Sequence, residues 1–263
     1  GDRISHGVAV TKYNHVKGPL EGITCYEGGH PYPDDNSFAG TQAALDAVRD
    51  LKEEDTVLFL LSGGGSALFE QPLIDKEELT DITGQLLACG ADIVEINMIR
   101  KRLSAVKGGR LAALCAPAKV YGIVLSDVLG DRLDMIASGP TCPDSSTCRE
   151  AETIVEKYGL TMSEKAKACL KRETPKTLSN VENIVIGSVS MLCDAAAEEC
   201  RRLGYETVIL TDRLLCAARE AGVFLSNIAA SHASAQKKRA FIAGGETTVH
   251  LTGKGKGGRN QEL

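Results

Sequence analysis

The chain reads as an α/β protein: a Rossmann-like, three-layer domain around a parallel sheet, followed by part of a second α/β domain. Three observations predict this. Apolar runs of strand length alternate with amphipathic helical stretches, the pattern of β-α-β units. Residues 56–61 form a continuous apolar run, as a strand covered on both faces does, and residues 119–125 read as a second buried strand. Hydrophobic residues make up 43% of the 263 residues while aromatics make up 4%, with no Trp, so core volume comes from Leu, Ile, Val and Ala.

In chain order, residues 8–10 and 22–26 are short strand candidates, the second ending in Gly28-Gly29-His30-Pro31. Asn36 or Ser37 can cap a helix running to about residue 51. The strand at 56–61 precedes helices at 77–88 and 93–103. After the strand at 119–125 come helices near 147–158 and 163–171. A polar stretch at 172–180 contains Pro175 and reads as a domain edge, which divides the chain into 1–178 and 179–263. The second part predicts a strand at 183–187, a helix at 190–203 and a strand at 206–210. A long helix over 214–236, broken near Gly222, precedes a hairpin or paired strands of 241–243 and 247–251 around Gly244-Gly245. Residues 253–258 form a Gly/Lys turn, and Asn260 opens a helix. Both ends of the chain, at Gly1 and one turn into that helix, predict truncation. In such a fold ligands bind at the C-terminal ends of the strands.

Composition narrows the function. The net charge of −5 and a pI of about 5.6, without a basic stripe interleaved with aromatics, disfavour nucleic acid. No apolar run approaches the roughly 20 residues that span a bilayer. No segment reads as a secretion signal, so a cytoplasmic location is expected. The nine cysteines are odd in number and contain no C-x-x-C, which predicts reduced, mostly buried thiols rather than disulfides or zinc ligands.

Four stretches carry chemistry. Ser62-Gly63-Gly64-Gly65-Ser66 follows the 56–61 strand, and such a turn directs N–H groups at an anion, phosphate above all. It is not a dinucleotide fingerprint, because Leu68 stands where the third glycine belongs. Around Asn97, Arg100, Lys101, Ser104 and Lys107, five cations fall within eleven residues of an acidic chain. On a helix Asn97, Arg100, Lys101 and Ser104 share a face suited to a carboxylate or phosphate, although a solvated basic face is the plainer reading of the charges alone. Lys107 precedes Gly108-Gly109, from which it can reach a phosphate oxygen. Asp127, at the end of the 119–125 strand, and Asp131 form a pair that can hold Mg²⁺ or cap a turn. Finally, Gly244-Gly245-Glu246 precedes a loop with Walker spacing from Gly253 to Gly258, but Arg259-Asn260 stand where Lys and Ser or Thr are needed. Arg259 still offers a planar fork to an anion. His30 reads as a turn histidine bonded to backbone, with a place near substrate as the alternative. Ser62 and Ser66 have no evident histidine partner for a triad.

Five motifs stand in one order. They are Ser62-Gly63-Gly64-Gly65-Ser66-Ala67, N-x-I-R-K-x-L-S-x-x-K-G-G from Asn97 to Gly109, Ser126-Asp127-Val128-x-Gly130-Asp131, Ile136-Ala137-Ser138-Gly139-Pro140-Thr141, and Gly257-Gly258-Arg259-Asn260-Gln261-Glu262. From about Gly29 onward the chain resembles the glycerate 2-kinase family with a MOFRL domain. The resemblance implies phosphoryl transfer from ATP to the 2-hydroxyl of D-glycerate, with a divalent metal such as Mg²⁺. For such a transfer Lys107 and Arg259 would offset charge on the moving phosphoryl group and, with Asp127, are the catalytic candidates. Residues 62–66 (Ser62, Gly63, Gly64, Gly65, Ser66) with Asn97, Arg100, Lys101, Ser104, Glu246 and Asn260 would bind phosphate and substrate, and Asp127 and Asp131 the metal. Partners are then small molecules, D-glycerate and ATP, with no nucleic acid or membrane, and a homo-oligomer is compatible. The family's N-terminal Gly-Lys-Ala segment, whose lysine looks catalytic, and most of the MOFRL domain have no counterpart here, so inactivity of this piece alone is expected. An NAD(P)H-dependent hydroxypyruvate reductase, a name some relatives carry, and a non-catalytic sugar-phosphate or nucleotide-binding module are the rival readings.

Overall fold

A computed structural model of the chain describes residues 4–233, 237–250, 252–253 and 257–263. The described residues form two compact units, one within Gly1–Leu125 and Leu133–Ile186, the other within Ser126–Arg132 and Gly187–Leu263. No helix among them is long and apolar enough to cross a membrane.

The first unit opens with two parallel strands, β1 (Gly7–Lys12) and β2 (Ile23–Gly28), in register from Gly7↔Ile23 to Lys12↔Gly28. Helix α1 (Asp35–Ala47) packs against both strands. Its N-cap is Asp34, upstream of the expected Asn36 or Ser37. The Asp34 carboxylate accepts from the Ser37 N–H at 2.9 Å and from Tyr13 Oη at 2.7 Å, and Ser37 completes the box by returning its hydroxyl to the cap N–H. Burial pushes the Asp34 carboxyl up, but hydrogen bonds from Tyr13, Ser37 and the Gly29 N–H outweigh it and hold it at about 2. A carboxylate with a depressed folded pKa stabilises the fold above its ordinary range and loses that contribution as pH falls toward 2. Asp34→Ala is expected to lower the urea-unfolding free energy by about 1 kcal/mol at neutral pH, with the deficit vanishing in acid.

The remainder of this unit is built on the parallel sheet β3-β4-β5, of strands β3 (Thr56–Leu61), β4 (Lys119–Leu125) and β5 (Val181–Gly187). Its helices are α2 (Gly65–Leu68), α3 (Lys76–Ala88), α4 (Ile93–Leu103), α5 (Arg110–Leu114), α6 (Cys148–Tyr158) and α7 (Glu164–Leu170). Val57, Phe59, Val120 and Val181 pack on Leu45 of α1, Leu111 of α5 and Phe69. The apolar residues of α3, α4, α6 and α7 make a second, all-helical core around Ile82, Leu86, Ile99 and Leu103. The expectation that 56–61 is buried on both faces needs correction. Leu58 and Leu60 are 60% and 68% exposed, and Ile184 and Ile186 of β5 are exposed too. A continuous apolar run reports sheet membership; it does not establish that both faces are covered among the described residues.

The second unit contains α8 (Val189–Arg202), β6 (Glu206–Leu214), α9 (Ala218–Ser231), β7 (Arg239–Gly245) and α10 (Arg259–Glu262). Strands β6 and β7 pair in parallel, and α8 packs on both. The α/β class with parallel pairing is thus as expected, but two local readings change. The long helix begins at Ala218, because β6 continues to Leu214; residues 234–236 at its expected end lie outside the described residues. In place of the expected hairpin, β7 pairs in parallel with β6, and among the described residues Thr248 forms an isolated parallel bridge with Ala217. Leu251 and most of the Gly/Lys turn, residues 254–256, lie outside the described residues.

All nine cysteines are free. Burial raises the thiols of Cys115 and Cys142 to about 11, so they behave as small core residues. Cys89, by contrast, is exposed.

Candidate active site

In the first unit the strand-end turn after β3 is held from below by buried charge. Ser62 and Gly63 are exposed, Gly64 takes φ +91°, and α2 starts at Gly65. A Cβ on Gly65 would stand 2.9 Å from that of Ala137 and 2.8 Å from Leu61 Cδ1, so the residue must be small for the 136–139 loop to approach. The Ser66 carbonyl accepts from Arg100 Nη2 at 2.8 Å and from Lys107 Nζ at 3.1 Å. Glu70, fully buried, lies 3.4 Å from Lys107 Nζ and 3.6 Å from Arg100 Nη2.

A phosphate-facing Lys107 is the expectation from sequence, and the geometry differs. Lys107 is fully buried, and its Nζ also reaches the carbonyls of Phe69 at 3.1 Å and Ala137 at 3.4 Å. An ammonium has three donors, and three carbonyls engage them here. Burial pulls the ammonium down to about 8, with Arg100 acting in the same sense and Glu70 opposing. The group therefore ties the turn, α2 and the 136–139 loop together from inside.

The rest of the basic helix is also buried and paired, which a solvated face would not be. Lys101 lies 3.2 Å from Asp144 and 3.6 Å from Asp134. Arg102, which sequence reading passed over, donates to the Ser146 hydroxyl and carbonyl at 2.9 and 2.8 Å. Burial pushes the Asp144 carboxyl up, but Lys101, Thr174 and Ser146 outweigh it and keep it low. Asn97 Oδ1 accepts from Ser138 Oγ at 2.7 Å, and Ser104 is buried where Pro72 bridges it. Ala137 and Ser138 sit at φ +49° and +60°, conformations that only a tightly determined loop imposes on residues with a Cβ. Glu70 and Asp144 are the residues sequence reading missed as partners. Five cations in an otherwise acidic chain were the signal that buried carboxylates must exist somewhere.

In the second unit, residues 126–132 form a turn closed by the Asp131 N–H on the Val128 carbonyl at 3.1 Å. Asp127 is exposed, and among the described residues neither its carboxylate nor that of Asp131 has a partner. Among the described residues no group of three or more His, Cys, Asp or Glu side chains is placed to hold a metal ion. Elsewhere in this unit Arg259 Nη2 lies 2.5 Å from Glu246 Oε1, each side chain half-exposed. The pair lines an open cleft with Thr247, Gly258 and Asn260.

Parallel strands alternating with helices, with a Gly-rich turn at a strand end, define an α/β protein. Comparison with known proteins is more specific. A family model described as "Domain of unknown function (DUF4147)" matches residues 1–171. A D-glycerate 2-kinase of Thermotoga maritima is 52% identical over 100% of this chain and 64% of its own length. A protein of Agrobacterium vitis that carries a hydroxypyruvate reductase name is 41% identical over 98% of this chain and 69% of its own. The crystal structure of the glycerate kinase from Thermotoga maritima matches with a TM-score of 0.91 at 50% identity, over 97% of this chain and 64% of that one. The chain belongs to the glycerate 2-kinase family. It spans 64% of the length of the Thermotoga kinase it matches.

Proposed function

We propose that the protein acts in ATP-dependent phosphorylation of D-glycerate at the 2-hydroxyl, giving 2-phosphoglycerate. The observation that carries this reading is the 52% identity to a D-glycerate 2-kinase along the whole chain. The exposed turn at 62–66 would cradle phosphate with its N–H groups. Arg100 and Lys107 would act through the Ser66 carbonyl, fixing where those N–H groups point. Lys101, Asn97 and Ser104 would secure the same framework from α4 and its end. Arg259, oriented by Glu246, would offset charge on the transferred group, with Asn260 beside it. Asp127 and Asp131 would hold Mg²⁺, which when bound neutralises phosphate charge. The second unit would be the start of a MOFRL-type domain, and the protein would work in the cytoplasm.

A coupled assay tests the reading against the reductase name borne by the Agrobacterium relative. ADP release that requires both ATP and D-glycerate is expected. Oxidation of NADH or NADPH by hydroxypyruvate, without ADP release, would overturn it. ATP binding with no turnover of either kind would favour a non-catalytic module.

A further inference from the structure

Two strand-end loops of the first unit meet at Gly64. One follows β3 and is the turn at 62–66; the other follows β2 and carries His30. The His30 ring lies against the turn, with Cδ2 3.2 Å and Nε2 3.4 Å from where a Gly64 Cβ would stand. Any larger residue at 64 would push the imidazole away, and the φ of +91° there already disfavours one.

His30 is exposed, and among the described residues neither ring nitrogen has a hydrogen-bond partner. The expected backbone-bonded turn histidine is therefore not what the loop holds. The loop itself is anchored. Asp34 takes the Gly29 N–H, the Ser37 N–H and the Tyr13 hydroxyl on one carboxylate. Prolines at 31 and 33 restrict the backbone on either side of Tyr32. An anchored loop thus presents an exposed imidazole beside a Gly-rich turn of the kind that directs backbone N–H groups at an anion.

We propose that His30 is a ligand-contacting residue of this site, its Nε2–H donating to an oxygen of the phosphoryl group that the 62–66 turn holds. The ligand chemistry is a phosphate monoester or the terminal phosphate of a nucleotide. The choice between these rests on the kinase reading; the contact itself does not. Phosphate oxygens accept several donors at once, so an imidazole N–H from one loop and backbone N–H groups from the other converge on the same group.

The test is calorimetric titration of the protein with ADP, 2-phosphoglycerate and inorganic phosphate separately, beside steady-state kinetics, for wild type, His30→Ala and His30→Gln. Loss of one charge-assisted hydrogen bond predicts about a tenfold higher Kd for one phosphorylated ligand in His30→Ala. His30→Gln, whose Nε2 sits where the ring nitrogen was, is expected to recover most of it. An effect on 2-phosphoglycerate places the monoester at the turn, and an effect on ADP places the nucleotide there. The ring signals of His30 are expected to shift in the NMR spectrum on adding that ligand to wild type. All Kd values within twofold of wild type in a folded His30→Ala, with ring signals unmoved, would overturn the proposal even if the wild type phosphorylates glycerate. A His30-dependent Kd without glycerate turnover would support the contact and sink the kinase reading instead.

Discussion

Replacing Lys107 by Met is expected to destabilise the protein by about 3–5 kcal/mol, the loss typical of removing one partner from a buried ion pair. The variant leaves Glu70 fully buried with Arg100 as its remaining cation, and it removes the Lys107 donor from the carbonyls of Phe69 and Ala137 and one of two donors from that of Ser66. Adding Glu70→Leu should recover much of the stability, because replacing both charges removes the uncompensated one. It should not restore the turn, since the carbonyl of Ser66 would keep only Arg100. Chemical denaturation of the three proteins checks this; a loss under about 1 kcal/mol for Lys107→Met would contradict the buried pair.

The same lysine gives a pH dependence of defined sign. Its folded pKa of about 8 lies below the ordinary 10.5, chiefly because of burial. Between those values the unfolded chain binds the proton and the folded one releases it, so stability rises with pH. Below pH 8 the gain is absent. Cys115 and Cys142 work the other way, being raised from 9.0 to about 11, and erode stability only above pH 9. From pH 7 to 9 the wild type should therefore gain about 1 kcal/mol, and Lys107→Met should not. Urea midpoints at the two pH values decide it; a wild type whose stability falls over that interval would contradict the assignment.

Arg259→Ala is expected to lower kcat/KM for D-glycerate by about 10²–10³-fold, the usual loss when a donor to transition-state charge is removed. Arg259 is half-exposed and paired to Glu246 at 2.5 Å, so truncation removes a cation from the cleft without opening a core. Stability should change by less than about 1 kcal/mol, as for an exposed pair. Arg259→Lys should rescue little, because an ammonium does not reproduce the planar fork. If kcat/KM stays within about threefold of wild type, Arg259 has no part in the transfer.

The contrast between these two cations explains what could be read from sequence. Both stand beside Gly-Gly pairs in an acidic chain, and local pattern assigns them the same job. Tertiary packing separates them: Lys107 meets Glu70, 37 positions upstream by numbering, while Arg259 remains at the surface. A buried carboxylate partner at that distance has no local signature. Strand and helix identities were legible where periodicity or capping was strong, as in Thr147-x-x-Glu150 at the start of α6. The direction of β7 was not, because short apolar segments around two glycines suit a hairpin as well as a parallel pair. Nor was the approach of His30 to Gly64, which depends on two loops brought together by the fold. The motif order, by contrast, already pointed to the family that the comparisons show.

The phosphorylated product identifies the reaction. The ³¹P NMR spectrum of a mixture of the protein with ATP, Mg²⁺ and D-glycerate tests it most directly. A new resonance matching authentic 2-phosphoglycerate, growing with ADP, is the predicted result. A resonance matching 3-phosphoglycerate, or hydrolysis of ATP to inorganic phosphate with glycerate unchanged, would contradict it.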